Sequence, residues 1–107
     1  DISTLLLNQS KISGIGNYLR SEILYDAQIH PLSYIFDLNE NDLIKIYKSI
    51  KKISKDSYLY QKYNGINFNF KVYMQNIDLN GFKIIKIKDK NNRMIHFVKE
   101  IQKEIIS

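Results

Sequence analysis

Gly14, Ile15, Gly16 and Asn17 lead straight into Tyr18, Leu19, Arg20, Ser21, Glu22, Ile23, Leu24 and Tyr25, so a glycine-punctuated turn hands over to a helix that starts on an amide side chain. Two glycines let the backbone turn sharply and approach a ligand closely, and the free N–H groups of the next helical turn point outward at the positive end of the helix dipole. Asn17 can cap that helix or add a donor of its own. The arrangement suits an anion, and in a chain of net charge +5 the anion expected is a nucleic-acid phosphate.

The charge is unevenly placed. Residues 1–39 carry −2 and residues 40–107 carry +7, an asymmetry expected of a nucleic-acid binder, although anionic membrane or protein surfaces would attract the same field. Ile, Lys and Asn are used heavily, as an AT-rich genome would dictate, so single lysines mean little. Arg20 and Arg93 are the only arginines, and the planar guanidinium fork suits a phosphate in a way an ammonium does not. With no cysteine, a disulfide framework and a thiolate metal site are both excluded; no metal and no cofactor are expected. No signal pattern and no apolar run near the roughly 20 residues of a membrane span is present, so the chain reads as intracellular with no membrane partner. It opens on Asp1 with Ile2, Leu5, Leu6 and Leu7 close behind, which reads as a fragment whose covering residues lie upstream.

Periodicity predicts a helix over residues 3–10, a turn over 13–16 and a second helix from Asn17 to Ala27. Leu19, Ile23 and Ala27 form its buried stripe, with Arg20 and Asp26 off it. Pro31 ends that segment. A third helix follows Asn39 as cap, with Glu40 and Asp42 in its first turn and Leu43, Ile46, Tyr47, Ile50 and Ile53 on one face. Lys45, Lys48, Lys52 and Lys55 on the other face read as an ordinary solvated surface. Phe68, Phe70, Val72 and Met74 alternate as a strand would, Asn80 and Gly81 mark a turn, and Phe82 to Lys88 with Met94 to Val98 predict an antiparallel hairpin over a four-residue connection. Phe82 and Ile84 fall in one phase and Ile85 and Ile87 in the other, so the first strand is bulged or covered on both sides. Arg93 lies at the hairpin tip.

Leu6, Leu7, Asn8, Gln9, then Gly14 to Tyr25, then Ala27, Ile29, His30 and Pro31 resemble the helix-two-turns-helix signature of the formamidopyrimidine-DNA glycosylase and endonuclease VIII family. Val72 to Gln75 and Asn92 to Gln102 resemble that family's terminal finger. In most of the family four cysteines hold the finger; here Val98 and Ile101 stand at the second pair and nothing near Leu79 to Phe82 supplies a first, which is similar to the zincless-finger branch. Met74 stands for a usual glycine, Met94 for a threonine and Lys99 for a proline.

The resemblance implies an α+β fold: a mainly helical helix-two-turns-helix DNA-binding domain over 1–66, lacking its upstream helices, then a zincless-finger β-hairpin over 67–107. It implies DNA contacts from Asn17 and Arg93, with Gly16, Arg20, Tyr73 and Gln75 as further candidates. A salt bridge to a neighbouring helix explains Arg20 equally well, and a core position explains Tyr73. His30 and His96 read as structural. The family's chemistry uses an amino-terminal proline, with the adjacent glutamate, to attack the sugar C1′. Pro31, the only proline, is internal, so this chain is not expected to catalyse alone. The expected partners are double-stranded DNA containing damaged bases and a missing amino-terminal catalytic domain, with the protein a monomer. The parent function is base-excision repair by a DNA glycosylase and AP lyase acting on oxidised bases. A stand-alone noncatalytic DNA-binding module is the alternative, and a ribosomal small-subunit protein with a similar turn ranks last because it lacks the finger.

Overall fold

The computed structural model describes residues 2–8, 17–64, 70–89 and 92–102. The helices are α1 (Ile2–Asn8), α2 (Asn17–Ala27) and α3 (Glu40–Asn64), with a short 3-10 turn at Ile35–Asp37 between the last two. Strands β1 (Ile85–Lys88) and β2 (Met94–Phe97) follow and pair antiparallel, with Lys86 opposite His96 and Ile87 opposite Ile95. None of the described helices is long and apolar enough to cross a membrane.

Helix α2 is the centre of the fold. Its predicted stripe of Leu19, Ile23 and Ala27 is buried, together with Leu24, against Ile2 and Leu6 of α1 and Ile46 and Ile53 of α3. Each such side chain contributes on the order of 2 kcal/mol by leaving water. The helix ends in a Schellman motif: the Ile29 N–H reaches the Leu24 carbonyl at 3.0 Å, the Gln28 N–H reaches that of Tyr25 at 3.1 Å, and Gln28 takes a left-handed φ of 62°. The N–H groups of Ile2 and Ser3 then tie the start of α1 to the carbonyls of Ser33 and Pro31.

Helix α3 begins where the acidic first turn predicts. Asn39 Oδ1 accepts the Asp42 N–H at 2.8 Å while Asp42 Oδ2 accepts the Asn39 N–H at 3.0 Å, a reciprocal box that satisfies two otherwise free donors. Its buried face corrects the predicted one. Ile46, Ser49 and Ile53 are buried and Ile50 is half-buried, whereas Leu43 and Tyr47 are exposed. Ser49 is drawn inside because its hydroxyl donates to Asp26 at 2.7 Å, which rotates the helix towards α2.

The strand predicted over Phe68 to Met74 does not form from Phe70 onward; residues 65–69 lie outside the described residues. Val72 to Gln75 is instead a turn closed by the Gln75 N–H on the Val72 carbonyl at 3.0 Å, with Met74 at a φ of 61°. Positive φ at the third residue is what a type II turn demands. The Asn80–Gly81 turn is present, with Gly81 at a φ of 85°, and Asp78 Oδ1 caps it by accepting the N–H groups of Asn80 and Phe82. Strand β1 is shorter than predicted and changes phase at its start: Ile84 is buried on one side, Phe82 in the same predicted phase is exposed, and Ile85 and Ile87 are half-covered on the other. Beyond the paired ends of the strands the Asp89 N–H bonds the Arg93 carbonyl at 2.9 Å and Asn92 takes a left-handed φ of 65°; Lys90 and Asn91 of the predicted connection lie outside the described residues.

Candidate nucleic-acid interface

Viewed down its axis, α2 has a second buried face, and that face is polar. Arg20, Ser21 and Glu22 are all at most 2% exposed, and each binds the chain that follows α3. Arg20 Nη2 donates to Asp89 Oδ2 at 2.7 Å. The hydroxyl oxygen of Ser21 accepts the His96 N–H at 3.2 Å. Glu22 accepts three successive peptide N–H groups, from Lys71, Val72 and Tyr73, at 2.7, 2.8 and 2.9 Å. Tyr25 donates its hydroxyl to Asp78 at 3.0 Å. Just past the helix, the Ile29 carbonyl accepts from Gln102 Nε2 at 3.0 Å, while Gln102 Oε1 takes the Val98 N–H.

These bonds set the electrostatics of the seam. Burial, helped by the bond to Asp78, pushes the Tyr25 phenol up to about 12. For Asp78, burial alone would raise the carboxyl, but the Phe82 N–H, the Tyr25 hydroxyl and Asn80 outweigh it and hold it below the usual carboxylate range. Burial, reinforced by the charge of Lys86, pulls the His96 imidazole below its ordinary value. His96 packs edge-on to Tyr73 with ring centroids 4.9 Å apart.

The apolar part of the seam is Val72, Ile84 and Val98, with Tyr25 and Ile101 packed against them. Val98 and Ile101 are the positions the family resemblance gives to a cysteine pair. Both are hydrocarbon side chains in a packed cluster, so the donor set does not fit zinc.

Asn17 is the first residue of α2; its side chain, and Gly14 and Gly16, lie outside the described residues. Arg93 is exposed beside the hairpin turn, with its backbone N–H on Asp89 Oδ1 at 3.0 Å. Gln75 is exposed and reaches the Tyr73 carbonyl at 3.3 Å. Tyr73 is half-buried, and its ring also packs against Phe70.

Arg20 requires a correction. It was placed off the buried stripe, yet it is fully buried, and its ion pair is with the hairpin. Its side chain is fully buried, so the guanidinium presents no surface charge; among the described residues its Nε and Nη1 have no hydrogen-bond partner. Removing one member of such a buried pair costs roughly 3–5 kcal/mol, because the other charge is left uncompensated. Glu22 and Asp89 were not singled out in the sequence. The available signal was a charged triplet inside a short apolar helix, and one acid in a basic hairpin loop.

Of the sequence candidates, Arg20 and Arg93 are linked through Asp89. Asn17 lies one helical turn before Arg20, Arg20 holds Asp89, and Asp89 holds the backbone of Arg93. The start of α2 and the hairpin turn are thereby coupled through one buried ion pair.

The fold is α+β, a helical body carrying a small antiparallel hairpin on its central helix. A family profile described as "Formamidopyrimidine-DNA glycosylase H2TH domain" matches residues 1–66, and the chain belongs to that family. It is 38% identical over 77 residues to endonuclease 8 of Pectobacterium atrosepticum, covering 66% of this chain and 29% of that protein. A viral DNA glycosylase crystal structure superposes with a TM-score of 0.77 at 32% identity, over 94% of this chain and 39% of that one. MutM, solved in complex with DNA containing carbocyclic 8-oxo-G, gives a TM-score of 0.83 at 26% identity, over 96% and 42%. The chain thus spans less than half the length of each of these relatives.

Proposed function

We propose that this chain is the carboxy-terminal, DNA-gripping half of a base-excision-repair DNA glycosylase and AP lyase acting on oxidised bases. The observation that carries the reading is the Arg20–Asp89 bridge, which ties the first turn of α2 to the hairpin turn that bears Arg93. It is supported by the likeness to MutM, a protein solved on DNA containing a modified guanine. In this reading residues 1–66 act as the helix-two-turns-helix part and residues 67–107 as a zincless finger, whose shape the Val72, Ile84 and Val98 cluster maintains in place of a metal.

Asn17 and Arg93 hold backbone phosphates of duplex DNA, with the Gly16 peptide group close to the same phosphate and Gln75 beside it. Such contacts fix register and orientation and read no sequence. The held duplex lets a damaged nucleotide be turned out of the stack into a pocket elsewhere in the protein. Pro31 is buried and internal; its nitrogen is an amide without a nucleophilic lone pair, so Pro31 does not attack C1′. The protein works as an intracellular monomer on its substrate.

The test is duplex binding by fluorescence anisotropy over a salt series with Asn17→Ala and Arg93→Ala. Each variant weakens binding to damaged and undamaged duplex alike, and Arg93→Ala makes the dependence of log K on log salt shallower by about one. Unchanged affinity in both variants overturns the reading.

A further inference from the structure

The Asp89 carboxylate divides its two oxygens between two tasks. Oδ2 receives Nη2 of Arg20 at 2.7 Å, and Oδ1 receives the backbone N–H of Arg93 at 3.0 Å. The backbone of Asp89 closes the same turn, since its N–H donates to the Arg93 carbonyl at 2.9 Å and its carbonyl accepts the Asn92 N–H at 3.1 Å. Asp89 therefore fixes both peptide groups that flank the Arg93 α-carbon on one side and is itself fixed to α2 on the other. The Arg20 side chain is 0% exposed and that of Asp89 is 9% exposed, so neither end of the bridge swings freely in solvent.

The sign of the charge is informative. Lys83, Lys86 and Lys88 surround β1 with positive field, and a carboxylate one turn from Arg93 opposes the approach of phosphate. As a pure electrostatic element Asp89 weakens DNA binding, so its value to the interface lies in geometry. Preorganising a long side chain's backbone lowers the ordering cost of the contact it makes.

We infer that Asp89 is a positioning residue for DNA binding: bridged to the buried Arg20 of α2, it clamps the hairpin turn so that Arg93 and the start of α2 address one stretch of phosphate backbone at fixed spacing. This rests on the reading that Arg93 meets a phosphate. Arg20 serves the same clamp from beneath and does not touch the DNA.

The experiment uses the full-length protein and undamaged duplex, with Asp89→Ala, Asp89→Asn, Arg93→Ala and the double variant Asp89→Ala with Arg93→Ala. Asp89→Ala weakens binding about tenfold, the size of one charge-assisted hydrogen bond, although it removes a negative charge. The double variant is no weaker than Arg93→Ala by more than about twofold, because the clamp acts only through Arg93. Asp89→Asn keeps one acceptor and falls between. Tighter or unchanged binding in Asp89→Ala and Asp89→Asn while Arg93→Ala weakens it overturns the inference, as does full multiplication of the two single effects. Amide hydrogen exchange tests the clamp without DNA: Asp89→Asn speeds exchange at Arg93 about tenfold, and unchanged exchange also overturns it. A null effect of Arg93→Ala on affinity, with faster exchange in Asp89→Asn, instead sinks the phosphate assignment and leaves the clamp standing.

Discussion

The Glu22 carboxylate accepts the Val72 N–H at 2.8 Å, and the same oxygen takes the Tyr73 N–H at 2.9 Å while the other takes that of Lys71 at 2.7 Å. One helical side chain stands in for the strand partner that these three peptide groups lack. Glu22→Ala therefore strands buried donors and is expected to cost about 3 kcal/mol or more. Glu22→Gln, which turns an amide NH₂ towards the same donors, costs about 2 kcal/mol. Urea denaturation measures both, and a loss below 1 kcal/mol in Glu22→Ala removes the stated role.

The buried His96 makes the seam acid-sensitive. Burial and the charge of Lys86 place its folded pKa below the ordinary 6.5, so below pH 6.5 the unfolded chain binds a proton that the folded chain refuses. The contribution is complete above pH 6.5 and is lost as pH falls from there towards the folded value. Thermal unfolding between pH 5 and pH 7.5 should show a steeper decline for the wild type than for His96→Phe. Parallel curves contradict it.

Gln28, Met74 and Asn92 all carry side chains at left-handed backbone positions. Met74 has a φ of 61° and Gln28 a φ of 62°, and for an L-residue with a Cβ this conformation costs about 1–2 kcal/mol. Met74→Gly and Gln28→Gly should each raise stability by about 0.5 kcal/mol, the strain relieved less the entropy glycine loses on folding. Differential scanning calorimetry decides; a fall in Tm at both positions shows that the side chains contribute more than the strain costs.

Tyr25 should ionise late. Burial and its bond to Asp78 push it to about 12 from 10.0, so its share of stability is intact below pH 10 and is lost as pH rises towards 12. Tyr25→Phe should cost about 1 kcal/mol at neutral pH. Ultraviolet titration of tyrosinate should lose a step near pH 12 in that variant, and a titration curve with that step intact rejects the assignment.

The helices were legible because each has a one-dimensional signature. The Leu19, Ile23 and Ala27 spacing and the Asn39 to Asp42 box depend only on neighbours within a turn or two of the chain. The hairpin was legible from alternation about a polar connection. Phe70 to Met74 was not: its alternation is that of a strand, but its peptide donors are taken by Glu22, some 50 residues earlier in the chain. Leu43 and Tyr47 failed in the same way, since a helix rotated by the Ser49 to Asp26 bond buries a serine in place of its larger neighbours.

The amino-acid order by itself determined where α2 begins and ends and where α3 begins, that no thiolate metal site is available, and that an arginine-bearing hairpin exists. Local sterics, capping and the chemistry of the side chains suffice for those. Only the tertiary structure decided that Arg20 is buried, that Asp89 is its partner, and that Arg93 rests on that pair. Arg20 and Asp89 are 69 residues apart. Burial of a charge is set by what packs over it and by whether an opposite charge arrives with that packing, and no local pattern in the chain encodes such a meeting.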